Sequence, residues 1–232
     1  MKGFLTLLFF GLLGGIVGGY FFISLSGFNS ADISEAVVSL PTATAIPSHG
    51  FWEKIISEAS LSTVGIQVFQ SNRLLKQGSG IIVSSDGLIV TVGDLAASNA
   101  VYQVSYEDKI IRGKIISTDY NLNLILIKTE NSYSNVASLG ADNYHSGQEV
   151  VLMGKILDLS SSSTFSQKGM ISYVTPKNVI IDTSANSNLT GTGVVDSNGY
   201  FAGLAYLRNG KVNMVRGITV DNFFKTYSSK IK

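Results

Sequence analysis

Few side chains in this 232-residue sequence can do covalent chemistry, and their types narrow it quickly. There is no cysteine, so disulfides and thiolate metal sites are both excluded. The two histidines, His49 and His145, are too few and too far apart in sequence for a metal cluster, and each reads as a surface residue. Hydroxyls are plentiful. A hydroxyl attacks a carbonyl only if a base takes its proton, and imidazole, with a pKa of about 6.5, suits that task. A carboxylate is a poor substitute. A carboxylate near its ordinary value of about 3.9 is mismatched to a hydroxyl, and one raised by burial holds its proton and cannot act as a base. An uncharged amide can hydrogen-bond but carries no charge to steady an imidazolium. Threonine nucleophiles rely on a free α-amine, which a threonine inside a chain lacks.

The elements that would hold these residues are short. Apolar or alternating runs recur at Val64–Phe69, Gly80–Val83, Leu88–Val92, Val101–Tyr106, Ile110–Ser117 and Leu122–Lys128. A second set runs Glu149–Met153, Phe165–Val174, Val179–Asp182, Gly193–Val195, Tyr200–Tyr206 and Lys211–Val220. Turn signals separate them, including the pairs Asn198-Gly199 and Asn209-Gly210 that favour tight hairpins. Many short strands without long helices between them imply an all-β antiparallel sandwich or barrel. Phe51–Ala59 has helical spacing, and Asp221–Tyr227 reads as a closing helix with Asp221 as its N-cap. Acidic and basic residues nearly cancel, 16 against 17, which leaves no electrostatic footprint for nucleic acid.

Read in order, the segments resemble the HtrA/Deg-type branch of the trypsin-like serine proteases. Gly78-Ser79-Gly80-Ile81-Ile82-Val83-Ser84-Ser85-Asp86-Gly87-Leu88-Ile89-Val90-Thr91-Val92-Gly93-Asp94-Leu95 is similar to G-S-G-F-I-I-S-x-D-G-x-I-L-T-N-x-H-V. Asn123-Leu124-Ile125-Leu126-Ile127-Lys128 is similar to D-L-A-L-L-K, and Asn188 to Val195 to G-N-S-G-G-P-L-V. Leu139-Gly140-Ala141-Asp142, Gly147 to Gly154, Lys168-Gly169-Met170-Ile171-Ser172 and Asn198 to Leu204 fall in the family's order as well. The resemblance covers residues 51–228. It implies two six-stranded antiparallel barrels with short terminal helices, divided near 133–146. It places Asp94 at the general-base histidine, Asn123 at the orienting aspartate and Thr190 at the nucleophilic serine. Asn188 and Thr190 fall at the oxyanion-hole positions. A slip of one or two residues would instead put Ser187 at the turn.

The resemblance therefore implies a kept scaffold and a lost chemistry: a homologue that is not an enzyme, needs no cofactor or metal, and binds a protein or peptide. An active serine-type endopeptidase with a non-standard constellation is the alternative, and a structural module whose own side chains fill its cleft is a third reading. The family usually continues into PDZ modules, and the sequence here shows none. Tyr102, Tyr106, Tyr173, Tyr200 and Tyr206 are candidate contact residues, against the common case of aromatics buried in a small barrel. Ahead of the domain, residues 1–27 are apolar for about 23 positions after Lys2, against about 20 needed to span a bilayer. They read as a membrane anchor, with 28–50 as a tether and 51–232 as the domain. The lone Lys2 before the span puts the N-terminus in the cytoplasm and the domain outside. Cleavage near Ser26 would give a secreted form instead.

Overall fold

The computed structural model describes residues 49–228 except 108, 141, 158–161 and 177. The expected anchor and nearly all of the tether lie outside the described residues. Among those described, no helix is long and apolar enough to cross a membrane.

Helix α1 (His49–Ser60) starts two residues before the expected domain boundary. It turns Trp52, Ile55 and Ala59, spaced for one helical face, into the core. Six strands follow: β1 (Thr63–Gln70), β2 (Arg73–Ile82), β3 (Leu88–Val92), β4 (Val101–Tyr106), β5 (Lys109–Asp119) and β6 (Leu124–Thr129). They close as an antiparallel barrel in the order β1-β2-β3-β6-β5-β4. A second set follows: β7 (Glu149–Leu157), β8 (Ser162–Val174), β9 (Val179–Asp182), β10 (Gly193–Val195), β11 (Phe201–Arg208) and β12 (Lys211–Arg216). It closes in the order β10-β11-β12-β9-β8-β7. The double barrel that the family resemblance implies is what forms.

The strands reading as unbroken apolar runs are those buried on both faces. In β7, Val150 and Leu152 fill the interior of the second barrel, while Val151 and Met153 point into the larger core shared with the first. Phe201, Leu204 and Tyr206 of β11 join that shared core. Gly193 leaves the space that the Phe201 ring occupies, and Leu157 lies against Gly65 of β1, where a Cβ would come within 2.5 Å of it. The barrels therefore meet through packed side chains with little room to slide. Truncating a ring as buried as Phe201 costs about 3–5 kcal/mol in comparable cores.

Two expectations need correction. The last strand stops at Arg216, and helix α2 (Gly217–Ser228) takes over where a strand to Val220 was expected. Asp221 is consequently inside the helix, not at its N-cap, and its Oδ2 accepts from Lys225 Nζ at 2.5 Å, one turn on. Val220 and Phe223 are fully or almost fully buried, so packing sets the helix start and not a polar cap. Strand β2 also begins at Arg73, seven residues before the expected strand: Arg73–Gln77 pair in register with β1 although they are largely exposed and carry no apolar alternation. The tyrosines divide. Tyr102, Tyr106 and Tyr206 are buried, whereas Tyr173 and Tyr200 are about half exposed, at 52% and 49%.

The segment joining the barrels is fastened by Tyr144, whose hydroxyl donates to Ala202 O at 2.7 Å, and by Asp142, which pairs with Arg216 at 2.5 Å. Burial pushes the Tyr144 phenol up to about 12, helped by the carboxylates of Asp142 and Asp196. An acid raised in the folded state contributes stability that is complete below its unfolded value of 10.0 and is lost as pH rises through about 12. Tyr102 and Tyr133 shift in the same direction. Denaturant titrations should therefore show stability falling with pH in this window. Tyr144→Phe should flatten the fall, at a cost of about 1 kcal/mol near neutrality from the lost hydrogen bond.

Candidate active site

The β3–β6 register decides the first half of the site. Val92 pairs with Leu124, so the residues just past the end of β3 and just before the start of β6 are neighbours. Gly93 N–H donates to Asn123 O at 2.9 Å, and a Cβ on Gly93 would sit 2.8 Å from Asn123 Oδ1. Asp94 follows in a 3₁₀ turn, Gly93–Leu95, with its side chain exposed. Lys76 Nζ ties this turn down by donating to the carbonyls of Asp94 at 2.7 Å and Ala96 at 2.8 Å. Asn123 adopts φ +55°, a left-handed conformation that asparagine accepts more readily than most residues. Its Nδ2 is buried without a hydrogen-bond partner among the described residues.

The second half comes from the other barrel. Ser187–Leu189 form another 3₁₀ turn, and Thr190 ends it with extended dihedrals, φ −66° and ψ 115°. Ser79 N–H on β2 donates to Thr190 O at 2.9 Å. A Cβ on the preceding Gly78 would come within 2.5 Å of that same carbonyl and 3.0 Å of Leu95 Cδ1, beside Asp94. The glycines of the Gly78-Ser79-Gly80 stretch thus allow the Thr190 loop and the Asp94 turn to close on one strand. All three segments singled out in the sequence converge at the barrel junction.

Convergence of the segments does not join their reactive atoms. Among the described residues, neither the Asp94 carboxylate nor the Thr190 hydroxyl takes a hydrogen-bond partner. The two N–H groups expected to receive an oxyanion are engaged inside their own loop. Asn188 N–H donates to Asn186 Oδ1 at 3.1 Å and Thr190 N–H to Ser187 O at 3.2 Å. Asn186 is a residue the sequence reading passed over. Its Nδ2 is held by Gln167 Oε1 at 3.0 Å, so its carboxamide is fixed as the cap of this turn. An asparagine immediately ahead of a turn is a recognisable cap signal. His145 is exposed in the turn before β7, where its backbone N–H faces Gln148 Oε1 at 3.4 Å, and its ring bonds no Ser or Thr oxygen among the described residues. His49 is the first residue of α1.

The trypsin-like peptidase domain description matches residues 78–204, more than half of the chain, and the match spans all three converging segments. The chain belongs to the trypsin-like peptidase domain family. Among solved structures the domain is similar to Deg5, with a TM-score of 0.65 and 22% identity over 75% of this chain and 91% of that one. It is similar also to the serine endoprotease from Yersinia pestis, with a TM-score of 0.66 and 18% identity over 76% of this chain and 66% of that one. At these identities the likeness is one of fold. No curated protein sequence matches.

In this family member the register of the loop is fixed by Gly191. It has φ +76°, its N–H donates to Ala205 O at 2.8 Å, and a Cβ there would collide with Ser79 O. Gly199 has a similar φ of +82° but open space around it. Gly199→Ala should therefore cost only the backbone strain, about 1 kcal/mol. Gly191→Ala should cost about 3 kcal/mol or more, or prevent folding, because strain and collision add. Urea titration of both variants measures the difference.

Proposed function

We propose that this protein is a pseudoprotease: a trypsin-like domain that binds a peptide or protein without cleaving it. It is held outside the membrane by the N-terminal segment. The observation that carries this reading is the state of the Thr190 loop. Among the described residues its hydroxyl has no base bonded to it, and both candidate oxyanion donors are spent on Asn186 Oδ1 and Ser187 O. Acyl transfer needs a proton acceptor at the nucleophile and free N–H groups where the oxyanion forms. Asp94, Asn123 and Thr190 supply neither.

A binding role draws support from β11. Ala205 is bonded to the Thr190 loop through Gly191 N–H and Thr192 O. Two residues on, Leu207 points its backbone groups to the same side, where no described strand or loop pairs with it. An extended peptide can add to such an edge by main-chain hydrogen bonds.

One observation favours a second reading, a working peptidase with an unfamiliar constellation. Lys155 Nζ lies 2.9 Å from Thr164 Oγ1 across the β7–β8 pair, and burial lowers the Lys155 pKa, which raises its fraction of neutral amine. A casein-cleavage assay separates the two. The pseudoprotease reading expects no cleavage by the unmodified protein and none by Thr190→Ser. Loss of the nucleophile or base alone costs about 10⁶ in turnover in a comparable enzyme. Cleavage that Thr164→Val abolishes would replace this reading with the second.

A further inference from the structure

A hollow of about 740 Å³ opens on the first barrel and borders none of Asp94, Asn123 and Thr190. Its apolar lining comes from Ala97, Ala100, Val101, Ile111 and Ile115, and its charged lining from Arg112, Lys114, Lys128 and Glu130. Three cations face one carboxylate in a chain whose total charge is only +1. The arrangement is tighter than a count conveys. In the β5–β6 register Lys114 lies directly opposite Lys128, so two ammonium groups share one cross-strand position on one face. Like charges placed this way repel and destabilise the pair. Arg112 stands two residues from Lys114 and so projects on the same side of β5.

Lys128 relieves part of the repulsion by reaching Asp86, with its Nζ 3.0 Å from Oδ2. Arg112 and Lys114 are exposed and make no ion pair among the described residues. An unrelieved cation pair next to an apolar recess favours a ligand bearing both carboxylates and an aliphatic group. Nucleic acid fits less well. The aromatic ring in the lining, Tyr102, is buried at 3% exposure with its hydroxyl accepting from Ala97 N–H, so it offers no face on which a base can stack.

We propose that this hollow is a docking site for an acidic peptide segment that carries an aliphatic side chain. Carboxylates settle between Arg112 and Lys114, and the aliphatic group enters beside Val101, whose side chain is 43% exposed. The site is separate from the cleft at Thr190 and does not rest on the absence of catalysis there.

Fluorescence anisotropy on the full-length protein tests the assignment with two labelled peptides. One is a short Asp/Glu-rich sequence containing leucine, and the other is its Asn/Gln counterpart. The acidic peptide should bind at least about ten-fold more tightly, a difference near 1.4 kcal/mol, and should weaken as salt is raised. Lys114→Glu and Arg112→Glu should each cost about ten-fold or more, while Lys211→Glu, the same charge change on the second barrel, should leave binding unaltered. All three side chains are exposed, so the substitutions spare the core. Equal affinity for the two peptides would overturn the proposal. So would indifference to Lys114→Glu, or binding of phosphatidylserine vesicles with no binding of the acidic peptide.

Discussion

Ser79 is the point at which the two barrels hold each other. Its N–H donates to Thr190 O at 2.9 Å, its Oγ accepts from Lys155 N–H at 2.9 Å, and its carbonyl accepts from Thr91 Oγ1 at 2.5 Å. One fully buried residue of the first barrel is thereby bonded to the Thr190 loop, to β7 and to the end of β3. A buried polar group is tolerable only when satisfied, and here satisfaction doubles as positioning. The surrounding glycines follow from it. Side chains at Gly78, Gly154 or Gly191 would strike Thr190 O, Ser79 Oγ or Ser79 O.

This arrangement leaves the trypsin-like scaffold independent of three side chains. At each of the three key positions the backbone is what the fold uses. Asp94 O receives Lys76 Nζ, Asn123 O receives Gly93 N–H, and Thr190 O receives Ser79 N–H. The side chains carry no such duty: Asn123 Nδ2 is buried and unpaired, and the Asp94 carboxylate and Thr190 hydroxyl are unbonded among the described residues. Residues there can change without loosening the junction. The buried Asn123 amide even marks a place where the fold forgoes a hydrogen bond worth about 1 kcal/mol.

What the sequence made legible follows the same physics. Strands buried on both faces, such as Leu88–Val92, and hairpins set by Asn209-Gly210, with φ of +52° and +71°, were readable because local pattern and tertiary role agree. The outer half of β2 was not, since Arg73–Gln77 are paired by register with β1 and not by any apolar period. The Arg216–Gly217 change from strand to helix was also hidden, because Val220 and Phe223 suit either element until the core they enter is known. The convergence of the Asp94, Asn123 and Thr190 segments could be anticipated through the family resemblance. The engaged N–H groups of Asn188 and Thr190 could not, since they depend on the 3₁₀ course of one short loop. The cation pair Lys114–Lys128 is likewise a fact of register, fourteen positions apart in the chain and adjacent in the sheet.

The most direct test of the proposed loss of chemistry asks the hydroxyls themselves. A fluorophosphonate forms a lasting covalent bond only with a hydroxyl whose proton is being drawn away by a neighbouring base. Incubating the folded protein with an excess of such a reagent and weighing the intact chain by mass spectrometry gives an unambiguous reading. The account predicts an unchanged mass and no modified Thr190 after digestion. A stoichiometric adduct on Thr190, Ser187 or Thr164 would contradict it.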